Sequence, residues 1–396
     1  MRTAAILLSV GFGLGCVARH THEDVALPIV APVPVIRDAK YDWPSDTNNM
    51  PTVLFAIDGV RWQEIFEGED KSRIARNKTP RTPREITPVL HSLSTFSGAF
   101  VGRTEPMRAS GPEYLSLPGY SEMFSGMKPV HCANNDCTGV GTTTFVDRLH
   151  QAGKKVAVFA SWPRIEVAAS GKPGAFPMSV GRHVQHRMED AKGDAEFANL
   201  LSRGEDSSPY PGEGDYRPDV QTAAIALRYF ESERPDFMFV GFGDTDEQAH
   251  ARNYARYVDA LTFADKAIGR FIDAAHERGV GMNVLVTTDH GRAADFASHG
   301  GAWQESSRVF LLAAGPTITG RGSVALETPA TLSSIAPTIE LLFGISDRTP
   351  SPIPGAAGAV FAARDPNEGR VLSELFLRRE PPVDDLLAET PQLPSR

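Results

Sequence analysis

The chain has few cysteines, no excess of positive charge and no long hydrophobic run. Three cysteines among 396 residues are too few for a disulfide-based scaffold. The 49 Asp and Glu residues outnumber the 40 Lys and Arg residues, giving a net charge of −9, which disfavours a protein that mainly neutralises a nucleic-acid backbone. The apolar stretch from Ala4 to Leu14 has 11 residues, too few to span a bilayer.

What is present is an ordinary globular composition. Apolar residues make up 41% of the chain and charged residues 22%, close to the average for folded domains. The length allows one large α/β domain or two smaller ones. No internal repeat is visible, and the composition excludes collagen-like, coiled-coil and wholly disordered chains.

The first residues have the pattern of an export signal. A basic residue, Arg2, precedes the short apolar run, and this predicts a signal peptide over residues 1–15. The sequence Gly13-Leu14-Gly15-Cys16 is similar to a bacterial lipobox, so Cys16 is a candidate for lipidation. Gly13 stands where that pattern prefers a large aliphatic residue, and plain cleavage nearby is the alternative. We expect an extracytoplasmic protein: periplasmic, secreted, or membrane-anchored through a lipid on Cys16 alone.

The remaining chain divides into a tether, a long folded region and a tail. Residues 16–50 contain spaced prolines and predict an extended tether. Residues 51–345 carry the strand and helix patterns, with a charged segment at 165–235 that we expect to be a helical and loop insertion shaping the substrate pocket. His183 and His186 in that segment are interpreted as surface residues. The tail at 346–396 is polar, with one short docking helix expected near 371–377.

The two cysteines inside the folded region are close in sequence. Cys132 and Cys137 enclose four residues, Ala-Asn-Asn-Asp, and in an exported protein they can close a small disulfide ring. Two unrelated thiols or half of a metal site are the alternatives, although no second cysteine pair exists to complete a zinc site.

Short apolar runs alternate with segments of helical periodicity, which predicts a mostly parallel sheet covered by helices. The runs are unbroken rather than alternating, as in strands buried on both faces. A covering helix is predicted over Tyr254–Ile272, with Asp265 off its apolar stripe. The predicted strands are 53–57, 156–159, 237–240, 284–286 and 309–312.

Acidic residues and histidines follow three of these strands. Parallel strands present their carboxyl ends at one edge of the sheet, where ligands bind. Imidazole and carboxylate oxygens are ligands of zinc, and manganese also accepts them. A shared metal site is therefore predicted at the residues that follow the strands, namely Asp58, Asp246, His250, Asp289, His290 and the later His299.

Ser116 is the candidate nucleophile. It begins a predicted helix in Ser-Leu-Pro-Gly-Tyr, where a serine can cap the helix and the free backbone amides can hold an anion. An ordinary N-cap followed by a core helix is the alternative interpretation.

In chain order, these residues resemble the alkaline phosphatase superfamily, nearest to its phosphodiesterase and nucleotide pyrophosphatase-like members, over about residues 53–344. The resemblance implies an α/β sandwich with a central, mostly parallel sheet covered by helices on both faces. It also implies two divalent metal ions, zinc or alternatively manganese. One would be held by Asp246, His250 and His299, and the other by Asp58, Asp289, His290 and the Ser116 oxygen.

The implied reaction is hydrolysis of a small phosphate ester, monoester or diester, through a phosphoserine. For substrate binding, Arg164 and either Asn134 or Asn135 are the candidates, although neither position matches the family pattern well. Sulfatases share the fold, but Tyr120 stands where their signature has arginine. The same residues are also compatible with a mutase of this superfamily and with a non-catalytic, surface-anchored binding module. The sequence leaves the oligomeric state open.

Overall fold

A computed structural model describes residues 50–191, 193–326, 328–345, 351–352, 359–360 and 366–376. The predicted signal peptide, lipidation at Cys16, almost all of the tether and most of the tail lie outside these residues. Among the described helices, none combines the length and the hydrophobicity needed to cross a membrane.

Thirteen strands are described, and nine of them form one sheet in the order β11-β2-β10-β8-β1-β7-β4-β5-β6. The strands are β1 Thr52–Ile57, β2 Gly98–Val101, β3 Met107–Arg108, β4 Val156–Ala160, β5 Met178–Val180, β6 Val184–His186, β7 Phe237–Phe242, β8 Asn283–Thr287, β9 Arg308–Val309, β10 Leu311–Ala314, β11 Gly322–Val324, β12 Ser351–Pro352 and β13 Ala359–Val360.

Strand β1 lies in the middle of the sheet, parallel to β7 on one side and to β8 on the other. The register pairs Ile57 with Phe242 and Ala56 with Thr287. The three strands therefore end at the same edge, and the residues after them meet there. The antiparallel pairings within this sheet are those of β10 with β2 and β8, and of β5 with β6.

Eleven α-helices accompany the described strands. They are α1 Trp62–Phe66, α2 Pro83–Ile86, α3 Pro88–Phe96, α4 Ser116–Ser125, α5 Phe145–Gln151, α6 Ile165–Ala169, α7 Ala195–Glu205, α8 Asp219–Glu233, α9 Asp244–His250, α10 Tyr254–Glu277 and α11 Ile335–Leu342.

Helices cover both faces of the sheet because the strands are apolar on both. Phe55 of β1 lies in a core with residues of α3, α8 and α10. Its neighbour Leu54 points to the opposite face and lies in a second core with residues of α4, α5 and α11. The predicted sandwich, a mostly parallel sheet between two helical layers, is confirmed.

The covering helix α10 extends five residues past its predicted end, to Glu277. Its apolar stripe is buried as expected, but Asp265, which was expected off that stripe, is also fully buried. The Asp265 carboxylate accepts hydrogen bonds from the Val89 and Leu90 amides, at 3.0 and 2.9 Å. These amides begin α3 and lack partners inside their own helix, which explains the buried charge.

Three other expectations need correction. The run 309–312 is split: β9 pairs with β3, and β10 joins the main sheet antiparallel. The segment 165–235 contains more than helices and loops, since β5 and β6 extend the sheet edge. The helix expected at 371–377 is one 3₁₀ turn, Ser373–Leu375, beside the buried Val371 and Leu372.

Candidate active site

Ser116 is buried at the first position of α4, and its hydroxyl faces the carboxyl edge of the sheet. The predicted capping role is wrong: Leu115 is the N-cap residue, and no side chain caps the helix. The Ser116 Oγ lies 3.2 Å from His290 Nε2 and 3.5 Å from Asp58 Oδ1. The expected cradle of free amides is also incomplete, because the Leu117 amide donates to Asn135 Oδ1 at 2.9 Å and Pro118 has no amide hydrogen.

The first group of candidate metal ligands surrounds this hydroxyl. Asp58 follows β1, and Asp289 and His290 lie just beyond β8. His290 Nε2 lies 3.5 Å from Asp58 Oδ1 and 3.4 Å from Asp289 Oδ2. The other oxygen of Asp289 accepts the Gly59 amide at 3.1 Å. Loops at the ends of neighbouring strands thus bring together residues distant in sequence.

The second group comes from α9 and from the loop before β9. Asp246 and His250 are one helical turn apart, and His250 Nε2 lies 3.0 Å from Asp246 Oδ2. His299 Nε2 lies 3.1 Å from His250 Nε2. His290 connects the groups, because its ring stacks on that of His299 with centroids 4.0 Å apart.

Hydrogen bonds orient two of the histidines for ligation. The Nδ1 atoms of His290 and His299 lie 2.8 and 3.0 Å from the carbonyl oxygens of Gly291 and Tyr114. Because a carbonyl only accepts, Nδ1 must donate, and the free lone pair is on Nε2, which points into the site.

The charge distribution of the site fits bound cations. Burial, and then the charges of Asp289 and Asp246, raise the pKa of Asp58 well above its usual range. Burial and Asp246 raise the pKa of Asp289 to about 7. Burial lowers the pKa of His290 to about 4, and burial with His290 lowers that of His299 to about 3. Neutral imidazoles beside crowded carboxylates are the donor set that divalent metals use.

A buried carboxylate oxygen without a hydrogen-bond partner also supports metal binding at this site. Asp289 Oδ2 is buried and has no hydrogen-bond partner among the described residues. Two sets of ligand atoms lie close enough to share an ion: Asp58, Asp289 and His290, and Asp246, His290 and His299. The residues present therefore fit two adjacent metal ions, with His250 beside the second set.

Arg292 is a site residue that sequence reasoning missed. Its guanidinium is fully buried, pairs with Asp246 Oδ1, and donates to the carbonyls of Phe296 and Ala297 at 2.6 and 2.7 Å. Burial alone would raise the pKa of Asp246, but Arg292 together with His250 holds it well below its usual range. Arg292 thus ties Asp246 to the loop that carries His299.

A buried polar network positions α9. Asp219 accepts the amides of Gly243 and Asp244 at 2.7 and 3.0 Å, at the start of this helix. Tyr216 donates to Asp244 Oδ1 at 2.7 Å, and a Cβ at Gly243 would lie only 2.8 Å from the Tyr216 hydroxyl. Glycine is therefore needed where the tyrosine packs. The acidic start of α9 was visible in the sequence, but its partner Asp219 was not.

Cys132 and Cys137 are disulfide-bonded, as predicted. The ring brings Asn135 to the wall of the active-site cavity, where its Oδ1 accepts the Leu117 amide. Asn134 instead accepts the Asp136 amide within the ring. Arg164, a predicted substrate contact, donates to the Cys137 carbonyl and does not line the cavity.

The candidate ligands open onto a cavity of about 160 Å³. Tyr216, from the segment 165–235 that was expected to shape the pocket, forms part of its wall, as do Trp162 and Glu247, which were not predicted as site residues. His183 and His186 lie elsewhere, paired with Asp215 and Glu166. The cavity is lined by Asp58, Ser116, Asn135, Trp162, Tyr216, Gly243, Asp246, Glu247, His250 and His299.

Comparisons with known sequences point to metalloenzymes. A profile of the metalloenzyme superfamily matches residues 205–347. The chain is 28% identical over 186 residues to a 2,3-bisphosphoglycerate-independent phosphoglycerate mutase of Thermomicrobium roseum, which covers 42% of this chain and 34% of that protein. A mutase of the same name from Haloarcula marismortui is 27% identical over 143 residues, covering 35% of this chain and 27% of that protein. The chain therefore spans about a third of the length of these relatives or less.

Solved structures show the same fold. Alkaline phosphatase PafA superimposes with a TM-score of 0.54 and 12% identity, covering 83% of this chain and 99% of that one. The lipoteichoic acid synthase LtaP from Listeria monocytogenes gives a TM-score of 0.50 and 12% identity, covering 76% and 73%. At 12% identity, the similarity to these two structures concerns the fold alone.

Proposed function

We propose that this chain hydrolyses phosphate esters through a phosphoserine on Ser116, as a member of the alkaline phosphatase superfamily of phosphoesterases, sulfatases and mutases, which its motifs resemble and whose fold it shares. One observation carries this proposal. The Ser116 hydroxyl, at the start of a helix, lies within 3.5 Å of both His290 and Asp58, two members of a candidate metal-ligand group. A serine in that position is an activated nucleophile rather than a structural hydroxyl.

The proposed cofactors are two divalent cations, zinc in preference to manganese because three histidines contribute. Asp246, His250 and His299 would hold one, and Asp58, Asp289, His290 and the Ser116 oxygen the other. When bound, these ions lower the pKa of the serine hydroxyl and polarise the phosphoryl oxygens.

Side chains of the protein itself then carry out the reaction in two steps. Ser116 Oγ, after its proton has passed to solvent, attacks phosphorus as the bond to the ester oxygen breaks, and the alcohol leaves with a proton from solvent. A water oxygen then attacks phosphorus and releases a proton as the bond between phosphorus and Ser116 Oγ breaks, and Ser116 Oγ takes up a proton. Asn135 supports the first step: its Oδ1 is occupied by the Leu117 amide, so its Nδ2 is the end that can donate to a phosphoryl oxygen.

Phosphoryl transfer is favoured over sulfate release. Tyr120, at the position of the sulfatase arginine, is buried and is not among the residues that line the cavity. No cysteine stands at the nucleophile position and the signature arginine is absent, so we expect Ser116 to act as an unmodified serine that supplies no aldehyde hydrate.

A mutase or phosphotransferase is the second candidate. The observation in its favour is the similarity to phosphoglycerate mutases at 28% and 27% identity. In that case the phosphoryl group of the phosphoserine passes to a second alcohol instead of to water.

We also propose that the protein works outside the cytoplasm on a small phosphate ester, without a nucleic-acid partner. The signal-like N-terminus and the Cys132–Cys137 disulfide support this placement. Anchoring through a lipid on Cys16 remains part of the proposal.

The decisive experiment compares aryl esters on the zinc-loaded protein. We expect p-nitrophenyl phosphate or bis-p-nitrophenyl phosphate to have a higher kcat/KM than p-nitrophenyl sulfate, and acid quenching to trap phosphate on Ser116. A higher kcat/KM for the sulfate would refute the proposal. Phosphoryl transfer to added phosphoglycerate, with no release of inorganic phosphate, would favour the mutase.

A further inference from the structure

One segment of this acidic chain is strongly basic. Residues 71–84 contain six Lys and Arg side chains and no Asp or Glu, whereas the whole chain has a net charge of −9. The proposed reaction at Ser116 uses none of these cations. A concentration of positive charge on a chain of negative net charge marks a surface for an anionic partner. The six cations are Lys71, Arg73, Arg76, Lys78, Arg81 and Arg84.

The basic segment is fastened to the fold, so that its cations have fixed places. Arg73 Nε lies 3.0 Å from the carboxylate of Asp70. Further along, a nitrogen of the Arg81 guanidinium lies 2.9 Å from the carboxylate of Glu69. Between these two ion pairs, Ile74 packs against the core that covers one face of the sheet. Arg73 and Arg81 therefore serve as anchors of the segment.

Three of the other cations are open to a ligand. Lys71, Arg76 and Lys78 are exposed, and among the described residues no carboxylate or carbonyl accepts a hydrogen bond from their side chains. Lys78 lies at the end of a tight turn, because its amide donates to the Ala75 carbonyl at 2.9 Å. Arg76 lies inside that turn, so these two cations stand close together at its tip.

The basic segment lies beside the loop that carries His299. The Arg73 guanidinium donates to the carbonyls of Ala294 and Asp295, the latter at 3.3 Å. The Asp295 carboxylate in turn accepts the Ser298 amide at 2.8 Å, and the next residue, His299, lines the active-site cavity. A long partner bound to the segment would therefore run past the edge of the active site.

The side chains of the segment indicate the class of partner. Residues 71–84 contain no Phe, Tyr, Trp or His, and their one large aliphatic side chain, Ile74, packs against the core. Insertion into lipid, stacking of nucleic-acid bases and anchoring of a peptide all use exposed apolar or aromatic groups. The exposed Asn77 and Thr79 stand beside the cations and can hydrogen-bond to hydroxyl groups. Charge and hydrogen bonding alone suit an acidic sugar polymer.

The basic surface is also narrow. The exposed carboxylates of Glu67 and Glu85 precede and follow it in the chain, and the exposed Asp259 approaches the Arg81 guanidinium to 3.3 Å. A flat anionic bilayer would meet these carboxylates together with the cations. A thin polymer chain can follow the cations alone, and it therefore fits this surface better.

We propose that residues 71–84 form a docking surface for a linear acidic polysaccharide, which they bind through Lys71, Arg76 and Lys78. The surface is separate from the cavity at Ser116. The inference stands on the charge and the contacts of this segment and does not depend on the proposed phosphoesterase function.

Binding of fluorescently labelled polygalacturonate to the full chain tests the proposal. This polymer has a carboxylate on every sugar, and polyglutamate of equal length has the same charged group on a peptide backbone. We expect polygalacturonate to bind at about 50 mM NaCl and to be released by about 200 mM, with a slope of log K against log salt of about −2 for three neutralised charges. Polyglutamate, oligothymidylate and phosphatidylglycerol vesicles should bind more weakly.

Removing the three open cations should abolish most of this binding. The triple variant with Lys71→Gln, Arg76→Gln and Lys78→Gln should bind polygalacturonate at least about tenfold more weakly at low salt, and its salt dependence should be much smaller. Because all three side chains are exposed and have no partner within the described part of the chain, the variant should keep the wild-type Tm.

A second triple variant removes the same charge elsewhere. Lys128, Lys172 and Lys266 are exposed lysines outside the basic segment, and the variant with Lys128→Gln, Lys172→Gln and Lys266→Gln should keep the wild-type affinity. Equal losses in the two triple variants would mean that net charge alone governs binding, and the docking surface would be refuted. The proposal would also be overturned if the wild type failed to bind polygalacturonate, or if it bound any of the other three probes more tightly.

Discussion

Replacing Ser116 should abolish catalysis while leaving the stability of the fold almost unchanged. Its hydroxyl caps no helix and contacts only ligand candidates. We expect Ser116→Ala to lower kcat by roughly 10⁴ to 10⁶-fold, as for other catalytic serines, and to change the free energy of unfolding by less than about 1 kcal/mol. Initial rates and urea denaturation measure the two effects. Near-normal turnover in the variant would show that another group attacks phosphorus.

The Arg292 side chain should support metal binding at the candidate site that contains Asp246, but not at the site that contains Asp58. It holds Asp246 and the loop before His299, so Arg292→Gln should lower metal affinity at that site by about 10 to 100-fold, as loss of a partner to a ligand typically does. Elemental analysis in zinc buffers should find about one ion per chain in the variant and two in the wild type.

Arg73 provides the control for Arg292. It donates to the Ala294 and Asp295 carbonyls of the same loop but does not touch Asp246. Arg73→Gln should retain both ions. Equal losses in the two variants would mean that loop anchoring, and not the contact with Asp246, supports the site.

The sequence was enough to predict which candidate ligands lie together, but not which residues hold them in place. Asp58, Asp289 and His290 follow apolar strands, and the strand-end rule places them together. Arg292 follows a strand too, but only the folded chain shows that its guanidinium turns back to Asp246. Glu247 could not be predicted as a cavity residue, because it follows Asp246 on a polar helix and no sequence pattern singles it out.

At the scale of secondary structure, the buried Asp265 joins α10 to the start of α3. Asp265→Ala leaves the Val89 and Leu90 amides without their acceptor, and each unsatisfied group costs about 1–3 kcal/mol. We expect the free energy of unfolding to fall by about 2–4 kcal/mol in chemical denaturation. The neighbouring exposed Lys266 is the control, and Lys266→Ala should change it by less than about 0.5 kcal/mol. Equal stability of the two variants would contradict the capping role.

The disulfide ring should matter more for activity than for stability. It closes a short loop, which limits its entropic effect on the unfolded chain, but it carries Asn135 to the cavity. The double variant with Cys132→Ser and Cys137→Ser should therefore lose most of its kcat/KM while its Tm falls by only a few degrees. A large drop in Tm with unchanged activity would assign the ring a purely structural role.

Some strands could be predicted from the hydrophobic pattern of the sequence, but not every boundary between them. Long apolar runs such as β1 and β7 were predictable because strands buried on both faces have no polar positions. The split between β9 and β10 was not, because Val309 and Leu311 are both fully buried and no change in hydrophobicity marks the switch of partner strand. Asp265 was misassigned because a charged residue on a helix normally faces solvent.

For the whole molecule, bound metal should add directly to stability. The carboxylates Asp58, Asp246 and Asp289 crowd the end of the sheet, and cations would relieve their repulsion. A ligand at 100 times its Kd stabilises the native state by about 2.7 kcal/mol. A chelator should therefore lower the Tm, and added zinc should restore it. A Tm that does not respond to chelation would argue against resident ions.

The candidate ligands come from remote parts of the chain: the Gly59 amide and the Asp289 carboxylate that it binds are 230 positions apart, and Ser116 and His290 are 174 apart. A fragment or a partly folded intermediate brings neither pair together, so the proposed ions could bind only after the strands have assembled. The metal-to-protein ratio of a preparation should then measure the fraction of its molecules that are correctly folded. Metal loading would then follow folding, and the divalent ions available at that stage would determine which metal the protein carries.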